Sequence, residues 1–300
     1  MHQKHYRNAF IDSSRWDDIA LREGDIILTT PPKTGTTWMQ MICALLIFQT
    51  PELPRPLGEI SVWPDFLVHP REEVLAELDG QRHRRVIKTH TPLDGLPYDE
   101  RVTYLTIGRE PRDVGVSTDN HMSNMHLGKV FAAFAASMAA EGAEVPALPE
   151  MPPPPESVHD RFRAWVDDPG YMSGLPMFLH HLDTLWQVRD RPNVVLTHYQ
   201  QLQDDLAASM RSLAAKLDIE VPEQKWPELV EAATFDSMKR REDDVIPNRD
   251  LWVDKARFLH KGTSGQWRSV LDEDDVAYYR KQVVTLADPD LLAWVQQGQD

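Results

Sequence analysis

The chain has 300 residues, 41% of them hydrophobic and 26% charged, with a net charge of −15 at neutral pH. Those proportions exclude a disordered or fibrous polymer, and the length suffices for one large core. The acid excess excludes non-specific binding to nucleic acid or anionic membrane, so any anionic ligand requires a local gathering of basic groups.

The one cysteine, Cys43, has no internal partner, which points to a reducing compartment. The opening MHQKHYRNAF lacks an apolar leader core. The longest apolar run, Trp38–Phe48, is far short of the roughly 20 residues that span a bilayer. A soluble, cytoplasmic chain without an integral membrane segment is expected.

Four short apolar runs read as strands: Asp25–Thr30, Arg85–Thr89, Val102–Gly108 and Asn193–His198. Each is continuous rather than alternating, as in strands covered on both faces. Helical patterns follow the first and last. Trp38, Met41, Ile42, Leu45 and Leu46 form one apolar stripe, and Leu202, Leu206, Met210, Leu213 and Leu217 repeat the idea. Strands alternating with helices predict a single α/β domain over residues 1–300, with a central parallel sheet flanked by helices. The alanine-rich, then proline-rich stretch 128–156 reads as a flexible surface loop, or as a flap beside a substrate cleft. The acidic run Asp272–Asp275 reads as a solvated helix start, not a metal site.

Between the first strand and its helix lies TTPPKTGTTW, Thr29–Trp38. Gly35 lets backbone approach a ligand closely, and the free N–H groups of the first helical turn point at it. Lys33 adds a point charge, while Thr36 and Thr37 add hydroxyls. This is a phosphate or sulfate cradle; the plainer alternative is a capped turn. It differs from the triphosphatase loop G-x-x-x-x-G-K-[ST], because Lys33 precedes the glycine and Thr29 stands where that loop starts with glycine.

The second strand ends in Lys88-Thr89-His90, where ligands of parallel sheets gather. Lys88 and His90, two apart, point to one side of an extended segment. Arg82, Arg84 and Arg85 read as a solvated basic turn. The third strand ends at Arg109, with Ser117 eight residues on, a pair suited to a second phosphate. Arg112 and Asp113 read as a local ion pair. Neither His180–His181 nor His121–His126 has the spacing of helical zinc ligands.

These segments resemble the cytosolic-type sulfotransferases that use 3′-phosphoadenosine 5′-phosphosulfate (PAPS), and the chain is identified as a bacterial member. TPPKTGTTW is similar to their YPKSGTTW loop, VIKTHTPL to KTHLP, and YLTIGREPRDVGVS to YLxRNPKDxxVS. HYQQLQDD is similar to YEDLKED, TFDSMK to TSFxxMK, and FLHKGTSGQW to FxRKGxxGDW. Six motifs in order span about Thr29 to Trp267.

The resemblance implies a fold related to nucleotide kinases, with PAPS as co-substrate and 3′-phosphoadenosine 5′-phosphate (PAP) as product. It implies that Lys33, Thr34, Gly35, Thr36 and Thr37 hold the 5′-phosphosulfate and that Trp38 stacks near the adenine. Arg109 and Ser117 would bind the 3′-phosphate. Tyr199, Thr234 and Phe235 would line the adenine pocket, and Lys261 and Gly262 would close over the 3′-phosphate. His260 replaces the usual arginine there, weakening that clamp or passing it to a neighbour such as Arg257. The family's KxxxTVxxxE dimer segment is absent after Trp267, so the oligomeric state is left open.

As chemistry, His90 suits a general base, Lys33 the departing oxygen, and Lys88 the transferred group. The lysines can do what magnesium does in phosphoryl transfer, so no metal is expected. The acceptor is expected to be a small or lipid-like hydroxyl: a phenol, sterol, alcohol or glycolipid. Residues 60–80 and 118–180, with Trp63, Phe66, Met122, Met125, Phe131, Phe134 and Met138, are expected to shape its site. A nucleotide kinase and a non-catalytic nucleotide or sulfated-ligand module are the alternatives.

Overall fold

Strands β1 (Ile26–Thr29), β2 (Val86–Thr89), β3 (Thr103–Gly108) and β4 (Val194–His198) fall within the four predicted runs, in a computed structural model that describes residues 4–145, 153–170 and 174–297. All pair parallel in the order β2-β1-β3-β4. The register sets Thr29 beside Thr89 and Leu28 beside both Lys88 and Leu105. The chain leaves β1 for β2 on one side and returns to β3 on the other. The carboxyl end of β1 is therefore the switch point at which open parallel sheets bind ligands.

Alternate residues of each strand enter different cores, which is why the runs carry no polar face. Ile26, Leu28, Val86, Leu105 and Ile107 pack with helix α1 (Thr36–Phe48) and with the helices 206–216 and 226–232. Ile27, Ile87 and Tyr104 face Trp16, Leu78 and Leu185 on the other side. A third cluster joins the helices 111–122, 158–167, 175–186, 273–283 and 289–295. Among the described residues no helix is long and apolar enough to cross a membrane.

Several local expectations are corrected. Helix α1 is buried almost all round, from Met39 to Leu46, rather than along one stripe, because β-sheet and helices enclose it. The pattern after β4 is two helices, Tyr199–Asp204 and Leu206–Lys216. Asp205 is extended between them, and its carboxylate accepts from Ala208 N at 2.8 Å. The alanine-rich half of 128–156 is not a loop but helix 127–140: alanine favours helix, and Val130, Phe134 and Ser137 lie buried on one face. Residues 146–152 of that segment lie outside the described residues.

Three charged groups read as a solvated run, a local Arg112–Asp113 pair and a solvated turn are bound otherwise. Asp275 is fully buried, caps Asp272 N and accepts from Arg163 Nε at 2.9 Å and from His159. Arg163 on that carboxylate opposes a cation within the His159–Asp272–Asp275 group. Arg112 bonds Glu110, not Asp113, at 2.6 Å. Arg85 is 1% exposed and grips Asp25, 2% exposed, through Nε at 2.9 Å and through Nη2, which also donates to Ala20 O at 2.8 Å. Removing one partner of such a pair strands a buried charge. Arg85→Ala is expected to cost about 3–5 kcal/mol of unfolding free energy, read by urea denaturation. A cost below about 1 kcal/mol, the worth of an exposed pair, would contradict this account.

Candidate active site

The turn after β1 is shaped by two residues with positive φ: Lys33 at 67° and Gly35 at 107°. A Cβ on Gly35 would lie 2.8 Å from Tyr199 Cδ2, so the position requires glycine twice over, for conformation and for space. Thr34, fully buried, donates to Pro31 O at 2.9 Å, and the Thr30 and Thr36 hydroxyls meet at 2.7 Å. The loop is thereby held from inside. The N–H groups of Thr36, Thr37 and Trp38 open α1, where no acceptor lies one turn back. Their partial positive charge faces the loop mouth.

Lys33 turns its ammonium to His121, donating to Nδ1 at 3.1 Å, and lies 5.7 Å from the centre of the Phe258 ring. Burial, reinforced by Arg109, holds Lys33 down to about 8. Burial and the same lysine keep His121 well below its ordinary value, so it is a neutral acceptor. Lys88, at the end of β2, lies 3.8 Å above the Trp63 ring, and burial brings it down to about 7. Two ammonium groups thus share one water-poor site, each favouring an anion between them.

His90 follows on the same strand end. Its Nδ1 donates to Thr30 O at 2.6 Å, and the Trp63 ring stands edge-on at 4.9 Å. A carbonyl can only accept, so Nδ1 carries the proton and Nε2 keeps a lone pair. Burial first, then Lys88, depresses His90 well below its ordinary value. A neutral, aimed imidazole beside two lysines can take a proton from an alcohol. A cavity of about 20 Å³ reaches His90, lined also by Pro31, Pro32, Trp165, Phe178 and His181.

Arg109 closes the loop from the end of β3. It donates to Lys33 O at 2.7 Å and Thr263 O at 3.3 Å, with its guanidinium 4.3 Å from the Tyr199 ring centre. Its buried Nε has no acceptor among the described residues, a donor suited to an anionic ligand. Ser117 lies partly buried on helix 111–122. Asp113 on that helix accepts from Gly265 N at 2.7 Å and Trp267 N at 3.1 Å, and so anchors the late segment that carries His260 and Lys261. Both of those residues are exposed. Burial lowers His260, with Lys261, Arg257, Lys239 and Lys33 adding to the shift, so four cations converge there.

Trp38 meets Tyr199 edge to face at 5.4 Å and donates to Ala233 O at 2.7 Å. Thr234 caps the helix Phe235–Arg240. Gly262, at φ 64°, presses on Phe235 so closely that a Cβ would lie 2.3 Å from Cδ2. Tyr199 and Trp38 thus stand beside the anion loop through Gly35, and Phe235 stands beside the late cationic segment through Gly262.

Of the side chains expected to shape an acceptor site, Trp63 stacks on Phe66 at 4.2 Å beside Lys88 and His90. Phe134 is buried instead and meets Phe10 edge to face at 6.2 Å, and Met125 packs against the core cluster of Val68, Val130 and Leu251. Sequence reasoning missed His121, Trp252, Phe258 and Asp65. Phe258 had a signal, as the first residue of FLHKG. His121 lies 88 positions from the lysine it meets and had none.

Fold and site together describe an α/β protein whose basic groups Lys33, Lys88 and Arg109 gather at the end of β1. Residues 23–285 match the model of the sulfotransferase domain, and the chain belongs to that family. It is 39% identical to a glycolipid sulfotransferase of Mycobacterium bovis BCG, with 98% of this chain and 94% of that protein covered. A glycolipid sulfotransferase of Mycobacterium tuberculosis is 38% identical at the same coverage. Retinol dehydratase in complex with androsterone and PAP superposes with a TM-score of 0.68 at 19% identity, covering 93% of this chain and 89% of that one. A mouse sulfotransferase complexed with PAP also gives 0.68, at 18% identity, covering 95% and 92%. The parallel sheet flanked by helices is thus the sulfotransferase fold.

Proposed function

We propose that this sulfotransferase moves the sulfuryl group of PAPS to a hydroxyl of a glycolipid. The observation that carries the reading is His90 with Nδ1 fixed on Thr30 O, set beside Lys88, which is buried, and Lys33, which is partly buried. The acceptor oxygen bonds to sulfur while the bond from sulfur to the bridging 5′-phosphate oxygen breaks. The acceptor proton passes to His90 Nε2, and the bond's electron pair stays on the departing oxygen. Lys33 stabilises that oxygen and Lys88 the equatorial sulfuryl oxygens, in a site dry enough to strengthen both effects. Arg109, Ser117, Lys261 and His260 bind the 3′-phosphate, while Trp38, Tyr199, Thr234 and Phe235 enclose the adenine.

The glycolipid is favoured by the names of the mycobacterial relatives and by the aromatic surroundings of the lysines. His121, Trp252 and Phe258 form one ring cluster beside Lys33, flanked by Met122, 49% exposed, and Val253, 64% exposed. That surface suits an acyl chain better than a polyanionic glycan.

The test is transfer from labelled PAPS to a panel of glycolipids, sterols, phenols and soluble glycans, with a chelator present. Sulfated glycolipid as the main product is the expected result. Turnover only with ATP and magnesium would mean a kinase, and tight PAP binding without transfer to any hydroxyl would mean a binding module.

A further inference from the structure

One carboxylate near the reacting groups has no place in the chemistry above. Asp65 is fully buried in the turn after Trp63. The residues that start the chain hold that turn: Asp12 N donates to Asp65 O at 3.0 Å, and Leu67 N donates to Phe10 O at 2.7 Å. Oδ2 of Asp65 receives three donors, Thr89 Oγ1 and Thr91 Oγ1 at 2.6 Å each and Trp16 Nε1 at 3.2 Å. Thr89 and Thr91 are the two neighbours of His90. Oδ1 is equally buried and has no hydrogen-bond partner among the described residues.

We infer that Asp65 is a positioning residue for sulfuryl transfer, its carboxylate bracing the strand end that carries His90 and serving as the counter-charge of Lys88. The inference rests on the roles proposed above for those two residues. Burial raises Asp65 above the ordinary carboxylate range, and the three donors on Oδ2 oppose that rise in favour of the ionised form, as does the ammonium of Lys88. That ammonium lies within reach of the carboxylate's field and sits 3.8 Å above the Trp63 ring.

The brace is specific to the base. Thr91 N donates to Thr89 Oγ1 at 2.9 Å, and Thr29 Oγ1 donates to Thr91 O at 2.7 Å. Asp65 thus fixes the backbone on both sides of His90, while Thr30 O fixes the ring itself. The charged and titratable groups that bear on Lys88 are Asp65 on the 64–67 turn, Lys33 on the loop after β1, His90 on its own strand end, and His121 on helix 111–122. Burial and Lys33 press Lys88 toward neutrality, and Asp65 opposes them.

Asp65→Asn keeps the shape and an acceptor for both threonines but removes the charge. The measurement is kcat/KM for PAPS across pH 5.5–9, with thermal midpoint and PAP affinity recorded alongside. The alkaline limb, where Lys88 loses its proton, is expected to move down by about 1 pH unit. The loss is then about tenfold on that limb and small at pH 6. Thr91→Val is the milder companion should the Asn protein fail to fold. Losing a donor makes Asp65 easier to protonate, so the limb moves the same way by less. A limb that stays in place in the folded variants, with only a lower thermal midpoint or a loss equal at every pH, overturns the assignment. A wild-type chain that transfers no sulfuryl group at any pH overturns the underlying roles instead, a result that the PAP affinities keep separate from misfolding.

Discussion

His90→Ala is expected to lower kcat by about 10²–10⁴-fold, the usual worth of a positioned general base, while PAP affinity stays within a few-fold of wild type. The split follows from the geometry. His90 bonds Thr30 O at the entry to the loop and faces Trp63 and the lysines, while the turn of the loop is held by Thr34 on Pro31 O and by Arg109 on Lys33 O. Removal of His90 deletes a proton acceptor and leaves the cradle intact. The pH dependence supplies a second check. Because burial and Lys88 depress its proton affinity, the imidazole stays neutral well into the acid range. The acid limb of wild-type kcat/KM should therefore fall below the pH 6.5 of a free imidazole. Transfer by the alanine variant at near wild-type speed, measured by product sulfation under saturating donor, would remove His90 from the reaction. Loss of PAP binding equal to the loss of turnover would make it a structural residue.

The fold was legible where burial is two-sided and local. Continuous apolar runs such as Asp25–Thr30 could be read as strands because a parallel sheet flanked by helices demands side chains of one kind on both faces. The anion loop was legible for a similar reason: Pro-Pro, Gly35 and paired threonines are all required within ten residues of one another. Contacts formed across long separations were not legible. Asp25 and Arg85 lie 60 positions apart, so nothing near Arg85 marked it as a buried ion rather than a solvated turn. Asp113 turned out to serve the segment at 265–267, 152 positions or more away. Helix 127–140 was missed for a different reason. Its alanines were read by composition, whereas the spacing of Val130, Phe134 and Ser137 already described a buried face. The site residues came through resemblance of motifs. Two partners that tune them, His121 and Asp65, became visible only in three dimensions, as did the place of Trp63 beside Lys88 and His90.

Lys33→Met is expected to lower kcat by about 10²–10³-fold and to weaken donor binding as well, because the lysine touches the group that leaves and the loop that holds it. The size follows from the loss of one charge from a site that excludes water, where a single preorganised donor is worth several kcal/mol. The pH behaviour separates this account from a mere change in loop shape. In the free enzyme Lys33 lies at about 8 and Lys88 at about 7, both lowered mainly by burial, so each loses its proton as pH rises through that range. Wild-type kcat/KM for PAPS should fall there, since the free enzyme must bring protonated lysines to the anion. Bound sulfate and phosphate favour the charged forms, so the corresponding limb of kcat should lie higher. Lys33 is one of the groups that depress Lys88, and its replacement by methionine removes that repulsion. The residual alkaline limb of Lys33→Met, then due to Lys88 alone, should therefore move up, opposite to the shift expected for Asp65→Asn. Stopped single-turnover transfer and calorimetric PAP binding, each across pH 6–9, measure both effects. Wild-type chemistry at normal donor affinity, or a residual limb that moves down, would show that Lys33 does not meet the departing oxygen.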